Sequence, residues 1–289
     1  MRVFVTGVTG QLGTEIVADL RRRAAERVRG PALEVIAPEE DDLDICDRDA
    51  LLAAIGTVQP EVIIHPAAWT AVDACEGNPD RAYSVNTLGT RHIAEAARLV
   101  GAHVCYLSTD YVFDGTSARP YLEWDDPNPL SVYGRSKLGG ERELDDGHTI
   151  VRTAWVNGRF GANMVKTVLR LAAAGEPLRF VNDQRGSPTS AADLASRVVD
   201  LSLGRYPGIF HVTNQGSTTW YEFARLVVSA SGGDPARVEP ITTSELDPPR
   251  PAPRPANSVL DNAALRLSGW SLLPSWDQAI ADLVAELTA

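Results

Sequence analysis

The chain has 289 residues, of which 44% are hydrophobic and 22% charged, a balance that excludes a disordered chain. Its formal net charge of −11 makes nucleic acid a poor partner, because an acidic surface repels the phosphate backbone. No apolar run reaches the roughly 20 residues that span a bilayer and the N-terminus lacks signal-peptide features, so the sequence predicts a cytoplasmic protein without a membrane partner.

Short apolar runs alternate with longer segments of helical periodicity in the first half of the chain. The runs predict strands at residues 2–6, 33–37, 62–65, 104–108 and 150–154. The segments between them predict helices at residues 13–29, 47–58, 79–100 and 131–145. Strands that alternate with helices form βαβ units, so the sequence predicts an α/β fold with a Rossmann-type doubly wound parallel sheet.

The second half of the chain is less regular. It predicts strands at residues 178–181 and 209–212, helices near residues 191–203, 220–230 and 276–287, and an extended proline-rich connector at residues 247–255. We expect residues 1–155, with returning segments near 190–230, to form the Rossmann domain. Residues 156–289 then form most of a smaller, discontinuous C-terminal α/β lobe.

Glycines recur at a spacing of three where the first predicted strand joins the first predicted helix. Such a turn binds the pyrophosphate of a dinucleotide, since it lets phosphate approach the backbone and the helix pack on the strand. The helix N-terminus adds amide donors and a favourable dipole. The sequence therefore predicts an NAD(P)-binding domain whose cofactor contacts include Gly7, Thr9, Gly10, Gln11, Leu12 and Gly13.

Several acids follow the second predicted strand. An acid at this place accepts hydrogen bonds from the ribose 2′-hydroxyl of NAD, whereas a 2′-phosphate prefers arginine, which this stretch lacks. The pattern favours NADH over NADPH and leaves both open. We expect Glu39 to contact the ribose and Asp44 and Ile45 to lie by the adenine, the other acids belonging to a solvated loop.

Tyr133 and Lys137 share one face of a predicted helix at a spacing of four, and Thr109 follows the fourth predicted strand. A lysine ammonium lowers the pKa of a nearby phenol from its usual value of about 10. Tyr133 can then give a proton to a carbonyl oxygen as hydride reaches the carbon, while Thr109 holds the same oxygen. A Tyr-x-x-x-Lys pair is common by itself, so its position after the glycine turn and the strand carries the catalytic interpretation.

These motifs resemble the extended short-chain dehydrogenase/reductase superfamily and, within it, the dTDP-4-dehydrorhamnose reductase family. The matching segments are residues 6–13, 108–115, 132–141, 183–189 and 254–261. The resemblance implies reduction of the C4 keto group of dTDP-4-dehydro-L-rhamnose to dTDP-L-rhamnose by hydride transfer from NADPH or NADH. It also implies that Thr109, Tyr133 and Lys137 are the catalytic residues and that residues 156–289 are mostly a substrate-binding lobe.

The same resemblance implies further contacts. Ala67 and Ala68 would lie by the cofactor, and Lys137 would bind the nicotinamide ribose. The dTDP-keto-sugar would be bound by Thr70, Val72, Thr109, Asp110, Tyr111, Trp155 and Arg254, with Arg254 at the diphosphate. The competing interpretations are a core tryptophan for Trp155 and an exposed connector arginine for Arg254.

The sequence differs from the family's motif at two positions, since His65 and Trp69 stand where the family usually has asparagine and tyrosine. The identity of the substrate sugar therefore stays open. His65 is interpreted as a structural residue. One alternative function is a 4-keto reductase of another dTDP-deoxysugar, as in antibiotic or dihydrostreptose-type pathways. Another is a non-catalytic NAD(P)-binding regulatory subunit. A dehydratase is disfavoured, since Tyr111 occupies the place of the second acid that such an enzyme needs.

The metal content and oligomeric state follow from the resemblance only in part. Some family members bind magnesium at a dimer contact, and Glu15 fits one acidic position there. The chain offers no clear ligand set, and its three cysteines suggest neither a zinc site nor a disulfide framework. We therefore predict no metal site, interpret Glu15 as a helix-surface residue, and expect a monomer or homodimer.

Overall fold

The computed structural model describes residues 1–26 and 32–289. Its strands are β1 (Arg2–Val5), β2 (Glu34–Ile36), β3 (Val62–His65), β4 (His103–Thr109), β5 (Thr149–Thr153), β6 (Val156–Asn157), β7 (Leu178–Val181), β8 (Arg185–Gly186), β9 (Thr189–Ser190), β10 (Gly208–His211), β11 (Thr218–Thr219) and β12 (Val238–Ile241). Its helices are α1 (Gln11–Ala25), α2 (Arg48–Val58), α3 (Val72–Gly77), α4 (Pro79–Tyr83), α5 (Gly89–Val100), α6 (Val132–Glu141), α7 (Met164–Ala174), α8 (Ala191–Leu203), α9 (Trp220–Ala230), α10 (Ala263–Leu267) and α11 (Trp276–Thr288).

A central sheet of six parallel strands has the order β10–β5–β4–β3–β1–β2. All four residues of β3 are buried, because helices cover both faces of the sheet and parallel strands are then apolar throughout. Leu20 of α1 and Val198 of α8 pack on one face, and Leu51 of α2 and Ile93 of α5 on the other. This architecture confirms the predicted doubly wound α/β fold.

The strand order reverses between β1 and β3. The chain runs from β1 outward to β2 and then crosses to β3 on the other side of β1. Loops that leave two such strands separate in opposite directions, so a crevice opens at their carboxyl ends. Ligands of open α/β sheets bind in this crevice, and the position of the candidate site follows from it.

A second core lies among α7, α9, α11 and the parallel pair β7–β12. Val168, Phe223 and Ile280 are fully buried there. The sequence analysis predicted α9 but missed α7 and β12. Short pairs, β6 with β9 and β8 with β11, connect the end of β5 to this second core. The division near residue 155 stays a prediction.

Two predicted helices differ from the structure. The single helix expected at residues 79–100 is α4 and α5 joined by a π-helical turn, Ser84–Leu88, which widens the helix and carries the buried side chain of Asn86. The helix expected at residues 13–29 begins at Gln11 and is described as far as Ala25. Residues 27–29 of that prediction lie outside the described residues.

The proline-rich connector contains neither helix nor strand, as its composition predicted. In the described ranges 1–26 and 32–289, no helix is both long and apolar enough to cross a membrane.

Candidate active site

A cavity of about 860 Å³ opens at the carboxyl ends of β1, β3, β4 and β5, where the strand order reverses. Most of the predicted cofactor residues line this cavity. These are Gly7, Thr9, Gly10, Gln11, Leu12, Gly13, Asp44, Ile45, Ala67, Ala68, Tyr133 and Lys137. Glu39 is exposed and is not among the wall residues, whereas its neighbour Glu40 is.

The glycine turn is packed too closely for side chains. Gly7 has a φ of +58°, and a Cβ there would lie 2.7 Å from the Cα of Ala67. A Cβ on Gly13 would lie 2.0 Å from the carbonyl oxygen of Gly7. The turn therefore rests on the end of β3, and the first residues of α1 line the cavity. A helix N-terminus has free amides, which favour an anion such as a phosphate.

Tyr133 enters the cavity from the first turn of α6. The Ser131 hydroxyl caps that turn by accepting the amide of Gly134 at 3.1 Å. A Cβ on Gly134 would lie 2.2 Å from the Tyr111 carbonyl oxygen, so the helix packs tightly on the chain that follows β4. Burial raises the pKa of Tyr133, and the Thr109 hydroxyl opposes this rise. The predicted lowering of this pKa by Lys137 was therefore wrong, and the phenol keeps its proton.

Lys137 lies one turn further along α6, with only 2% of its surface exposed. Its ammonium nitrogen lies 4.1 Å from the centre of the Tyr106 ring and has no hydrogen-bond partner among the described residues. Burial lowers the pKa of Lys137 to about 7, and the Glu141 carboxylate opposes this change. Because a buried ammonium without partners is costly, the donors of Lys137 fit a ligand that brings oxygen acceptors into the cavity.

Glu141 is held in place by a buried ion pair. Its carboxylate accepts hydrogen bonds from Arg152 at 2.9 and 2.7 Å and another from the Ser108 hydroxyl. Arg152 and Glu141 are 2% and 5% exposed. Breaking such a pair by removing one partner costs about 3–5 kcal/mol, so the charge that faces Lys137 is firmly fixed.

Thr109 and Asp110 end β4 beside Tyr133. The Thr109 hydroxyl donates to Asp110 at 3.0 Å and accepts the amide of Tyr111 at 3.2 Å. Asp110 is 3% exposed, and its Oδ2 has no partner among the described residues. Burial raises the pKa of Asp110 to about 7, although interactions with the hydroxyls of Ser258 and Thr109 act to lower it. The site thus holds a carboxyl group that is partly protonated near neutral pH.

Arg254 reaches the site from the proline-rich connector. Its guanidinium donates to both oxygens of Asp73 on α3, at 2.8 Å for one of them, and its side chain is 13% exposed. The Ala252 amide and Arg250 bind the same carboxylate at 3.1 and 3.3 Å. This carboxylate therefore fastens the connector to α3, and Arg254 is mostly buried rather than an exposed connector arginine.

Trp155 follows β5 in a left-handed backbone conformation with a φ of +45°. For a residue other than glycine this conformation costs about 1–2 kcal/mol. Its ring is half-buried and stacks on Trp220 of α9, with centroids 3.5 Å apart and planes inclined by 5°. Trp155 thus connects the end of the central sheet with the second core.

Most of the predicted substrate residues are not among the residues that line the cavity. Thr70 lines it, whereas six others do not. Of these six, Val72 and Tyr111 pack against the small apolar cluster that contains Tyr133, and the Tyr111 ring meets that of Tyr133 edge-on at 5.9 Å. The remaining four are Thr109, Asp110, Trp155 and Arg254.

On one side of the cavity, sequence reasoning singled out Trp69 and missed the other residues. Trp69 and Arg81 line it together, with the guanidinium carbon of Arg81 4.7 Å from the Trp69 ring centre. Asp80, Ser84 and Val85 complete this side. The signal was available, because residues 80, 81, 84 and 85 share one face of a helix.

Glu15 is only 5% exposed and accepts hydrogen bonds from Arg159 at 3.1 and 3.0 Å. Its interpretation as a helix-surface residue was wrong, because the arginine covers it. Within residues 1–26 and 32–289, no cluster of three or more His, Cys, Asp or Glu side chains is arranged to hold a metal ion. His65 is fully buried between the hydroxyls of Thr6 and Thr90, at 2.8 and 3.3 Å.

The chain is similar to known proteins over its whole length. The sequence model of the RmlD substrate binding domain matches residues 1–289. The dTDP-4-dehydrorhamnose reductase of Streptomyces griseus is 43% identical, with 97% of this chain and 92% of that protein covered. The dTDP-4-keto-6-deoxy-D-glucose reductase of Streptomyces niveus is 38% identical, with 100% and 98% covered.

A solved structure agrees with these relatives. The dTDP-4-dehydrorhamnose reductase of Bacillus anthracis strain Ames, in complex with NADP, has a TM-score of 0.88 and 36% identity, with 99% of each chain covered. The chain therefore belongs to the RmlD family, which confirms the resemblance to dTDP-4-dehydrorhamnose reductases drawn from its motifs.

Proposed function

We propose that this protein reduces the C4 keto group of dTDP-4-dehydro-L-rhamnose to dTDP-L-rhamnose, with NADPH or NADH as the reductant. The observation that carries the proposal is the buried ammonium of Lys137, which has no partner among the described residues and lines the same cavity as Tyr133 and the glycine turn. The names of the full-length relatives support the reaction, and the NADP complex of one of them supports the cofactor.

The residues present fit a nicotinamide dinucleotide. The cradle at Gly7, Gly10 and Gly13 has room for a pyrophosphate and for no side chain on Gly7 or Gly13. Lys137 would donate to the hydroxyls of the nicotinamide ribose. The adenosine would lie by Asp44, Ile45 and neighbouring wall residues. When bound, the nicotinamide supplies a hydride to the carbonyl carbon of the sugar.

Tyr133 acts as the proton donor in this proposal. Its raised pKa keeps the phenol protonated until the carbonyl oxygen gains negative charge, and an alkoxide is basic enough to take that proton. The protonated form of Lys137 then stabilises the phenolate left behind. In this proposal the Thr109 hydroxyl turns its single proton from Asp110 to the same oxygen when substrate is bound. Both groups then stabilise charge that develops only in the transition state.

The remaining substrate contacts are proposals drawn from position. Arg254 would bind the diphosphate, exchanging part of its hydrogen bonding with Asp73 for phosphate oxygens. The sugar and nucleoside would contact Thr70, Val72, Asp110, Tyr111 and Trp155. We propose further that the protein acts in the cytoplasm as a monomer or homodimer, with a dTDP-sugar as its partner.

A second candidate is a reductase of another dTDP-4-keto-deoxysugar. The Streptomyces niveus relative carries such a name at 38% identity over nearly its whole length. Trp69 on the cavity wall, where the family usually has tyrosine, is the residue here that would accommodate a different sugar. A regulatory subunit that only binds NAD(P) would keep the cradle and show no turnover.

The test is oxidation of NADPH and of NADH, followed by absorbance, with dTDP-4-dehydro-L-rhamnose made in situ and the product identified by NMR. Formation of dTDP-L-rhamnose is the expected result. Turnover only with a different dTDP-4-keto sugar would favour the second candidate. Cofactor binding without turnover of any such sugar would contradict a reductase function.

A further inference from the structure

The backbone of Trp155 is held in its unusual conformation by two hydrogen bonds to one atom. The carbonyl oxygen of Trp155 accepts the amide of Thr189 at 3.1 Å and the side-chain amide of Asn157 at 2.8 Å. A left-handed conformation persists at a bulky residue only where the surroundings fix it, and such residues cluster at functional sites.

The ring of Trp155 is fixed separately from its backbone. Trp220 stacks on it with an interplanar angle of 5°, and Gly186 approaches it so closely that a Cβ there would lie 2.3 Å from the indole. The pairing of β8 with β11 brings Gly186 and Trp220 together, because Thr218 is paired with Gly186 and Trp220 comes two residues after Thr218. The indole therefore sits in a slot built by residues distant in sequence.

Trp220 is itself anchored in the second core. Its ring meets that of Phe223 edge-on at 5.6 Å, and Phe223 is fully buried. The Thr219 hydroxyl caps the first turn of α9 by accepting the Glu222 amide at 3.3 Å, which fixes the start of the helix. The position of Trp155 thus depends on the second core and not only on β5.

Trp155 stands at the edge of the active-site cavity. The residues close on either side of it, Thr153 and Val156, both line that cavity. Trp220 covers one face of its indole and Gly186 packs closely on the ring, but the side chain stays partly exposed. We assign this exposed part to contact with a ligand in the cavity. The apolar face of a deoxysugar or the flat ring of a pyrimidine suits contact with such a surface.

We propose that Trp220 is a positioning residue for the dTDP-keto-sugar, acting through Trp155. The inference rests on the proposed function, because it assigns Trp155 to the substrate and Trp220 to the support of Trp155. Trp220 itself touches neither cofactor nor reacting atoms in this proposal. Loss of the stack should therefore weaken sugar binding and leave cofactor binding intact.

The kinetic test compares three variants. Trp220→Leu removes the stack and should raise the KM for the keto-sugar about tenfold, with the KM for NADPH unchanged. Trp220→Phe keeps an aromatic ring in the slot and should stay close to the wild type. Trp276→Leu is the matched control, because Trp276 lies in the same core but packs on Phe223 instead of Trp155.

A spectroscopic test needs no substrate. The protein has six tryptophans, so 5-fluorotryptophan labelling gives a small set of fluorine resonances, and Trp155→Phe assigns the one of interest. Trp220→Leu should broaden or split the Trp155 resonance, since the ring then samples several positions. The Trp155 resonance should stay a single sharp line in Trp220→Phe and in Trp276→Leu.

A single sharp Trp155 resonance in Trp220→Leu, or an equal rise in the keto-sugar KM in Trp276→Leu, would overturn the proposal. A wild-type protein that reduces no dTDP-keto-sugar would instead overturn the proposed function. The fluorine spectrum would still decide in that case whether Trp220 fixes Trp155. If Trp220→Leu does not fold, Trp220→Met replaces it in the same spectrum, because methionine fills more of the space that the indole leaves. Trp220→Phe must still match the wild type.

Discussion

The ammonium nitrogen of Lys137 lies over the buried ring of Tyr106, 4.1 Å from its centre, and only 2% of the Lys137 surface is exposed. The ring face attracts the cation, but it does not replace the hydrogen bonds that an ammonium makes in water. We therefore expect Lys137 to destabilise the ligand-free protein, although its ammonium is available to donate hydrogen bonds to a ligand.

The free-energy cost of burying the Lys137 ammonium depends on pH. The pKa of Lys137 falls from 10.5 to about 7 on folding, so between pH 7 and 10.5 the unfolded chain binds more protons than the folded one. The free energy of unfolding of the ligand-free protein should then rise with pH across this window. In the Lys137→Met variant that contribution should be absent, and the Tm at pH 7 should be higher by roughly 5 °C.

Thermal unfolding from pH 6.5 to 9.5 without cofactor checks this prediction. Lys166→Met is the control, because the Lys166 ammonium is bound by the carbonyls of Arg159 and Gly161 and should give no gain in Tm. A Lys137→Met variant with the wild-type Tm and the wild-type pH dependence would show that the buried ammonium is satisfied in solution.

Tyr133→Phe should lower kcat about a thousandfold, the usual loss when a general acid is removed. The Kd for NADPH should stay unchanged, because the phenol acts on the carbonyl oxygen of the sugar. Stopped-flow turnover and fluorescence titration measure the two quantities. Tyr83→Phe, at an exposed position on α4, should leave both unchanged. Wild-type kcat in Tyr133→Phe would remove Tyr133 from the chemistry.

Glu40→Ala should weaken NADH binding about tenfold, because a carboxylate on the cavity wall can accept from the ribose 2′-hydroxyl. The same change should leave NADPH binding unchanged or tighter, since it removes a negative charge near the 2′-phosphate. Titration with each cofactor checks both values. Glu39→Ala is the neighbouring control and should alter neither. A larger loss of NADH affinity in Glu39→Ala than in Glu40→Ala would contradict this assignment. It would show that the loop changes conformation on binding and that Glu39 contacts the ribose.

Arg254→Gln should raise the KM for the keto-sugar about tenfold to a hundredfold, the range expected for a lost charged hydrogen bond. The Kd for NADPH should not change. Arg250→Gln provides the comparison, since Arg250 binds the same Asp73 carboxylate but is 52% exposed. Equal KM values in the two variants would mean that Asp73 and the connector matter, and that Arg254 does not reach the diphosphate.

Much of the secondary structure could be predicted from local sequence pattern. The apolar run at residues 62–65 is β3 as predicted, because a strand covered on both faces cannot alternate. The glycine turn joins β1 to α1 and lines the cavity, as a site at this place requires, because its spacing is a local property of a few residues. Its binding of a cofactor stays a prediction. Helix α7 was missed although Asn163 caps its start and Gly175 follows its end.

Other features could not be read from periodicity. The π-helical turn at Ser84–Leu88 continues the helical pattern, so nothing in the apolar spacing distinguishes it. The ion pair of Asp73 with Arg254 joins residues 181 positions apart, and the stack of Trp220 on Trp155 depends on strand pairing elsewhere. The direction of the Tyr133 pKa shift was misjudged because depth of burial is a tertiary property.

The pairing of β5 with β10 affects how the chain folds while it is being synthesised. A ribosome releases β5 well before β10 exists, and helix α8, which brings Val198 against the sheet, also comes later. Until residues 208–211 emerge, β5 has an unpaired edge, and such edges recruit other chains. A fragment that ends near residue 155 should therefore aggregate, because the central sheet is completed only by β10, which lies more than 50 residues further along the chain.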